Sequence, residues 1–104
     1  MEASDNKSES LSGIAEKQKI VEPCKYKVIL YNDDYTTKDF VVSILKDVFN
    51  KSLNDAVVVM ESVHTTGKGV AGIYYYDIAM TKIKRTMELA RKNDFPLRCG
   101  IEGI

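Results

Sequence analysis

The chain is poor in the residues on which most small-protein chemistry depends. It has a single histidine, His64, and two cysteines, Cys24 and Cys99, in 104 residues. Two cysteines so far apart are too few for a disulfide scaffold or a zinc site. They read as free thiols of a reducing, cytoplasmic compartment. No apolar run reaches the length of about 18 residues that a transmembrane helix needs. The N-terminus lacks an apolar h-region, so a secretory signal is not expected, and the sequons at Asn6 and Asn50 carry no weight without one. Charge of one sign is not in excess either, since 15 Lys and Arg balance 15 Asp and Glu. That balance argues against a general binder of nucleic acid or membrane surface. What remains is 44% hydrophobic residues, ordinary for a globular chain, and a length that suits one domain.

Residues 1–22 stand apart. They are rich in Ser, Glu, Lys and Asp, and their few apolar residues, Leu11 and Ile14 among them, keep no period. Such a stretch buries too little apolar surface to offset its ordering entropy and is expected to be a flexible tail. The folded part is expected over 23–104. Lys25–Tyr31 alternates and is rich in β-formers, with Tyr26, Val28 and Leu30 on one face, which predicts a strand. Asn32-Asp33-Asp34-Tyr35 breaks the pattern as a polar loop. Thr36-Thr37-Lys38-Asp39 fits a capping box, and Phe40, Val41, Ile44, Leu45, Val48 and Phe49 then form one helical stripe. Ser52-Leu53-Asn54-Asp55 repeats the box and opens a second helix, with Ala56, Val57, Met60 and Val63 inward and His64 on the Met60 face.

Thr65 to Gly69 has the chemistry of a turn that ends this helix. Val70 to Tyr74 then predicts a short strand. Asp77 to Lys92 predicts a third helix with Ala79, Ile83, Met87 and Ala90 inward. Pro96 stops it, and Leu97 to Ile101 predicts a last strand. The order β-α-α-β-α-β implies an α+β fold, with three helices on one face of a small antiparallel three-stranded sheet.

Several motifs are weaker than they look. Gly67 to Gly72 formally matches GxGxxG, but it follows a helix and enters a strand, the reverse of what a dinucleotide fingerprint requires. His64 with either cysteine lacks a third orienting group, and no metal ligand set accompanies it, so neither nucleophilic catalysis nor a metal or cofactor is expected. The basic residues of the third helix are interrupted by Asp77 and Glu88 and read as a solvated face. A lone histidine on an apolar face also has a plain reading as a core residue. Asn32-Asp33-Asp34 is more informative, because it lies between a strand end and a helix start. The helix bearing His64 packs beside that start. Amide, carboxylate and imidazole are thereby expected to converge over an apolar floor of Val41, Met60 and Val63, a combination suited to a cation carrying a hydrophobic side chain.

The run Tyr26–Thr36, Met60 with Val63-His64, Gly67-Lys68, Thr81-Lys82 and Pro96-Leu97 together resemble the ClpS family, over roughly residues 23–103. The resemblance implies a fold shared with the C-terminal domain of the ribosomal stalk protein. It also implies a non-enzymatic adaptor that binds proteins whose first residue is Leu, Phe, Tyr or Trp and delivers them to the ClpA unfoldase for degradation by ClpP. By position, Asn32, Asp33, Asp34 and His64 would hold the free α-amino group. Alternation along the loop favours Asn32 with Asp34 for the amine and leaves Asp33 to solvent or helix capping. Leu30, Thr36, Val41, Met60, Val63 and Leu97 would line the side-chain pocket, with Lys38 at its mouth where the family commonly has an apolar residue. Asp77 and Lys82 would dock the unfoldase, and the tail would engage it. The alternative is a stalk-like module that recruits partners through its helices.

Overall fold

The computed structural model describes residues 24–104. The tail expected over 1–22 and the domain start at Pro23 lie outside the described residues. Six elements follow in order: β1 (Lys25–Tyr31), α1 (Lys38–Asp47), α2 (Leu53–Thr66), β2 (Lys68–Tyr75), α3 (Tyr76–Lys92) and β3 (Arg98–Gly103). The architecture is α+β, with an antiparallel three-stranded sheet in the order β2-β1-β3. The most apolar strand is therefore central. Tyr26, Val28 and Leu30 sit opposite Tyr74, Gly72 and Gly69 on one side and Gly103, Ile101 and Cys99 on the other. Opposite residues of an antiparallel pair share a face, so this face carries the core.

Val28 and Leu30 are fully buried there with Ile44 and Leu45 of α1, Ala56, Met60 and Val63 of α2, and Ala79 and Ala90 of α3. Burying side chains of this size contributes about 1.5–3 kcal/mol each for the larger aliphatics. Gly69 lets β2 lie against α2, since a Cβ there would meet Val63 Cγ2 at 2.9 Å and the Val59 carbonyl at 3.1 Å.

Element ends differ from expectation by one or two residues, each for a local reason. The cap of α1 is Thr37, whose hydroxyl accepts from Phe40 N–H at 3.1 Å, not Thr36. Ser52 caps α2 as expected, accepting from Asp55 N–H. The turn at the end of α2 is tighter than read. The helix runs to Thr66, and Gly67 at φ 95° reverses the chain straight into β2, which starts at Lys68. Leu97 is buried as expected, but it precedes β3 rather than opening it. Val57, expected inward on α2, is 37% exposed. The buried polar residue of α3 is Thr86, whose hydroxyl is satisfied by the Lys82 carbonyl at 2.9 Å.

Candidate functional site

The site begins where β1 ends. Asn32 N–H donates to the Gly67 carbonyl at 2.9 Å, so the loop after β1 is pinned to the C-terminal turn of α2. Gly67 N–H in turn donates to the Val63 carbonyl at 3.1 Å, closing that helix one residue beyond its last turn. These two bonds bring Asn32 and His64, far apart in sequence, to one rim.

The two aspartates of the loop have different surroundings. Asp33 folds back on its own loop. Its Oδ1 accepts from the N–H groups of Tyr35 at 2.8 Å and Thr36 at 2.7 Å, and its Oδ2 accepts from the Thr36 hydroxyl at 2.8 Å. This is an aspartate turn, in which a side chain holds the backbone that follows it. Partial burial alone would raise the Asp33 pKa. The Thr36 backbone and hydroxyl donors, the Tyr35 N–H and the positive field of Arg98 overcome that and hold it below the usual carboxylate value. Asp34 is exposed, and among the described residues its carboxylate has no hydrogen-bond or ion-pair partner. The same holds for the side chains of Asn32 and His64.

Loop, α1 start and α2 ridge enclose a cavity of about 430 Å³, a volume in the range of ligand sites. Asn32, Asp33, Asp34, Thr36 and His64 form its polar rim; Val41, Met60 and Val63 form its apolar wall; and Lys38, the first residue of α1, stands at its edge. Tyr35 and Thr37 also line it. Sequence reasoning left both out, although Tyr35 is 77% exposed beside the acidic pair. His64 is exposed, which removes its reading as a core residue.

Leu30 and Leu97 do not line this cavity. Leu30 is fully buried in the cluster that also holds Val41, Met60 and Val63, and Leu97 lines a second cavity. The two remaining site candidates sit on α3. Asp77 is exposed in its first turn. Lys82 is not free: its Nζ donates to the Val48 carbonyl at 2.7 Å, at the C-terminal cap of α1, and lies 5.2 Å from the Tyr74 ring centroid. The described residues contain no cluster of three or more His, Cys, Asp or Glu able to hold a metal, and no helix long and apolar enough to cross a membrane.

Chemically, the cavity offers acceptors that have no partner among the described residues, above an apolar wall. Comparison with known proteins gives this a context. A family model described as the ATP-dependent Clp protease adaptor protein ClpS matches residues 21–100. The chain belongs to the ClpS family. Among ClpS relatives, the ATP-dependent Clp protease adapter protein of Myxococcus xanthus is 54% identical over 88 residues, which cover 85% of this chain and 82% of that protein. That of Treponema denticola is 45% identical over 98 residues, covering 94% and 97%. A solved structure of Agrobacterium tumefaciens ClpS2 bound to L-phenylalaninamide superposes with a TM-score of 0.77 at 40% identity, over 80% of this chain and all of that one. ClpS proteins are adapters, not enzymes, and their partner is the Clp protease. Family membership thus decides between adaptor and stalk-like module in favour of the adaptor.

Proposed function

We propose that this ClpS-family adapter binds proteins carrying a bulky hydrophobic N-terminal residue, Leu, Phe, Tyr or Trp, and delivers them to a ClpA-type unfoldase for degradation by ClpP. The observation that carries the reading is the set of three polar side chains, Asn32, Asp34 and His64, that have no partner among the described residues and stand on the rim of an apolar-walled cavity. An α-ammonium needs acceptors, and its own side chain needs an apolar wall; the two requirements meet here within one residue of ligand. L-phenylalaninamide, the molecule bound to the Agrobacterium relative, has that chemistry: a free α-amino group beside an aromatic side chain.

In this reading Asp34 supplies the charge. Asn32 and a neutral His64 accept the remaining ammonium protons. Asp33 positions the loop through the Thr36 and Tyr35 donors. A hydrogen bond to a charged group contributes about 1.5–3 kcal/mol, and burying a Leu or Phe side chain about as much. After association costs, a dissociation constant on the order of micromolar follows. A residue inside a chain has no ammonium and would strand the acceptors, which limits binding to N-termini. Asp77 belongs to the unfoldase-docking face of α3, with residues 1–22 as the arm that engages the unfoldase. Lys82 supports that face from beneath by holding the end of α1.

The test is a reconstituted degradation assay with ClpA and ClpP. Two otherwise identical reporters, one beginning with Leu and one with Ser, are followed with and without this chain. The Leu reporter should be degraded faster only when the chain is present. Equal acceleration of both reporters, or of neither, would refute the proposal.

A further inference from the structure

The core occupies one face of the sheet, and the other face is turned outward. Lys25, Lys27, Ile29 and Tyr31 alternate with the core residues of β1 and point to this outer face. Their cross-strand neighbours are Tyr75, Ile73, Val70 and Lys68 on β2, and Glu102, Gly100 and Arg98 on β3. A bulge in the β2 pairing between Val28 and Ile29 brings Val70 and Ile73, three apart in sequence, to the same side.

Along β2 this face carries an apolar ridge, with Val70 39% exposed, Ile73 51% and Tyr75 48%. Beside the ridge the charge is mostly of one sign. Lys68 and Glu102, at opposite corners around the buried Ile29, join at 3.3 Å and cancel. Lys25 lies over the Tyr75 ring at 5.3 Å and Arg98 over the Tyr31 ring at 5.6 Å. With Lys27 they leave an excess of positive charge. An exposed apolar ridge bordered by cations complements a segment that joins apolar residues to acids.

The chain itself supplies such a segment. Residues 9–16 hold Leu11 and Ile14 between Glu9 and Glu16, with no basic residue among them. A stretch this poor in apolar residues does not order by itself, but a complementary surface can order it. Its reach also fits. The chain enters the sheet at Lys25, at the Tyr75 end of the face, and residues 17–24 provide the return. An extended chain advances about 3.3 Å per residue, so Glu16 to Glu9 spans about 23 Å and the face from Lys25 to Tyr31 about 20 Å. Folded back, the segment sets Glu16 near Lys25 and Lys27, Ile14 and Leu11 over Ile73 and Val70, and Glu9 near Arg98.

We infer that the outer face of the sheet is the docking surface for residues 9–16 of this same chain. Docking parks the arm that the proposed function assigns to the unfoldase. The contact itself does not depend on the amine-binding reading.

The test is paramagnetic broadening in the whole 104-residue chain. Ser8→Cys with Cys24→Ser places a nitroxide at position 8, beside the docking segment. Cys99, whose thiol burial pushes up to about 11, stays unlabelled at neutral pH. At low salt the amides of Lys68, Val70 and Arg98 should broaden, and those of Lys46 and Glu61, on the helical side, should not. Glu9→Lys with Glu16→Lys should cut the broadening at least roughly twofold, the scale of two exposed ion pairs, and salt of about 0.5 M should do the same. Leu11→Ser with Ile14→Ser should also cut it. These tail substitutions lie outside the described fold, so a lost signal reports undocking rather than unfolding. Broadening that is absent, or equal on both sides of the sheet, overturns the inference. Broadening that survives both pairs of tail substitutions overturns it too. Broadening that grows with protein concentration assigns the face to a second copy and overturns docking within one chain. If N-acetylation of a Leu-headed peptide leaves its affinity unchanged, the amine reading fails, and the broadening still decides the outer face.

Discussion

Replacing Asp34 and Asp33 one at a time should separate binding from folding. Asp34 is exposed and unpartnered among the described residues, so Asp34→Ala removes nothing the fold uses. Its unfolding free energy should stay within about 0.5 kcal/mol of the parent. It does remove the charged acceptor of the ammonium, worth about 1.5–3 kcal/mol, so the dissociation constant for an N-terminal Leu peptide should rise by roughly 10- to 150-fold. Asp33→Ala removes three hydrogen bonds that order the loop. By analogy with lost helix caps the cost is about 1–2 kcal/mol, and each kcal/mol lowers the melting midpoint by roughly 4–8 °C in a domain of this size. Its loss of affinity should be smaller than that of Asp34→Ala, because it arises only from a looser loop.

Proton linkage gives the same separation a second readout. The folded Asp33 carboxyl titrates below its unfolded value of about 3.9. Its contribution to stability is therefore complete above that value and is lost as pH falls through the lower, folded one. The parent should show this acid-side loss and Asp33→Ala should not. Calorimetric titration and thermal melts on the three proteins suffice. A large affinity loss in Asp33→Ala at an unchanged melting midpoint, with Asp34→Ala binding normally, would refute the assignment.

Three further outcomes are expected. Lys38 borders the cavity from the first turn of α1, where its ammonium faces an incoming cation, so Lys38→Met should tighten N-terminal Leu and Phe peptides by about 1 kcal/mol or less and sharpen discrimination against Ile and Val; unchanged affinities and an unchanged Leu-to-Ile ratio would mean Lys38 points away. Lys82→Met should destabilise the domain by about 1–2 kcal/mol in urea unfolding at a constant slope, since it strips the Val48 carbonyl of its charged donor; no stability loss would return Lys82 to a purely docking role. Burial pushes the Cys99 thiol up to about 11 while Cys24 is exposed, so a thiol reagent at pH 8 should label Cys24 quickly and Cys99 only on unfolding; equal labelling rates would contradict this.

Much of this fold was legible because its signals are local and agree with one another. The alternation of Lys25–Tyr31 marks β1 to the residue, and Ser52 with Asp55 marks the start of α2. Where local signals compete, tertiary contacts decide. Thr36 and Thr37 are equally good caps on paper, and Thr37 takes the role because the Asp33 carboxylate already holds the Thr36 hydroxyl. The convergence of Asn32, Asp34 and His64 rests on the Asn32–Gly67 backbone bond, which leaves no mark in side-chain pattern. Helical spacing correctly set His64 beside Met60, but the two differ in depth: Met60 is 8% exposed and His64 stands at the rim. Leu30 and Leu97 could be identified as apolar and inward, yet only three-dimensional packing separates a core residue from a cavity wall. Lys82 shows the same limit from the polar side, since nothing near it in sequence announces its partner at Val48.

The proposed function depends on simultaneous recognition of a free α-amine and a bulky side chain at one N-terminus. Calorimetric titration of one short Leu-headed peptide against its N-acetylated twin tests that most directly, because the twin keeps every side chain and loses only the ammonium. Micromolar binding of the free peptide with at least tenfold weaker binding of the acetylated one is the predicted result. Equal affinities for the two would contradict it.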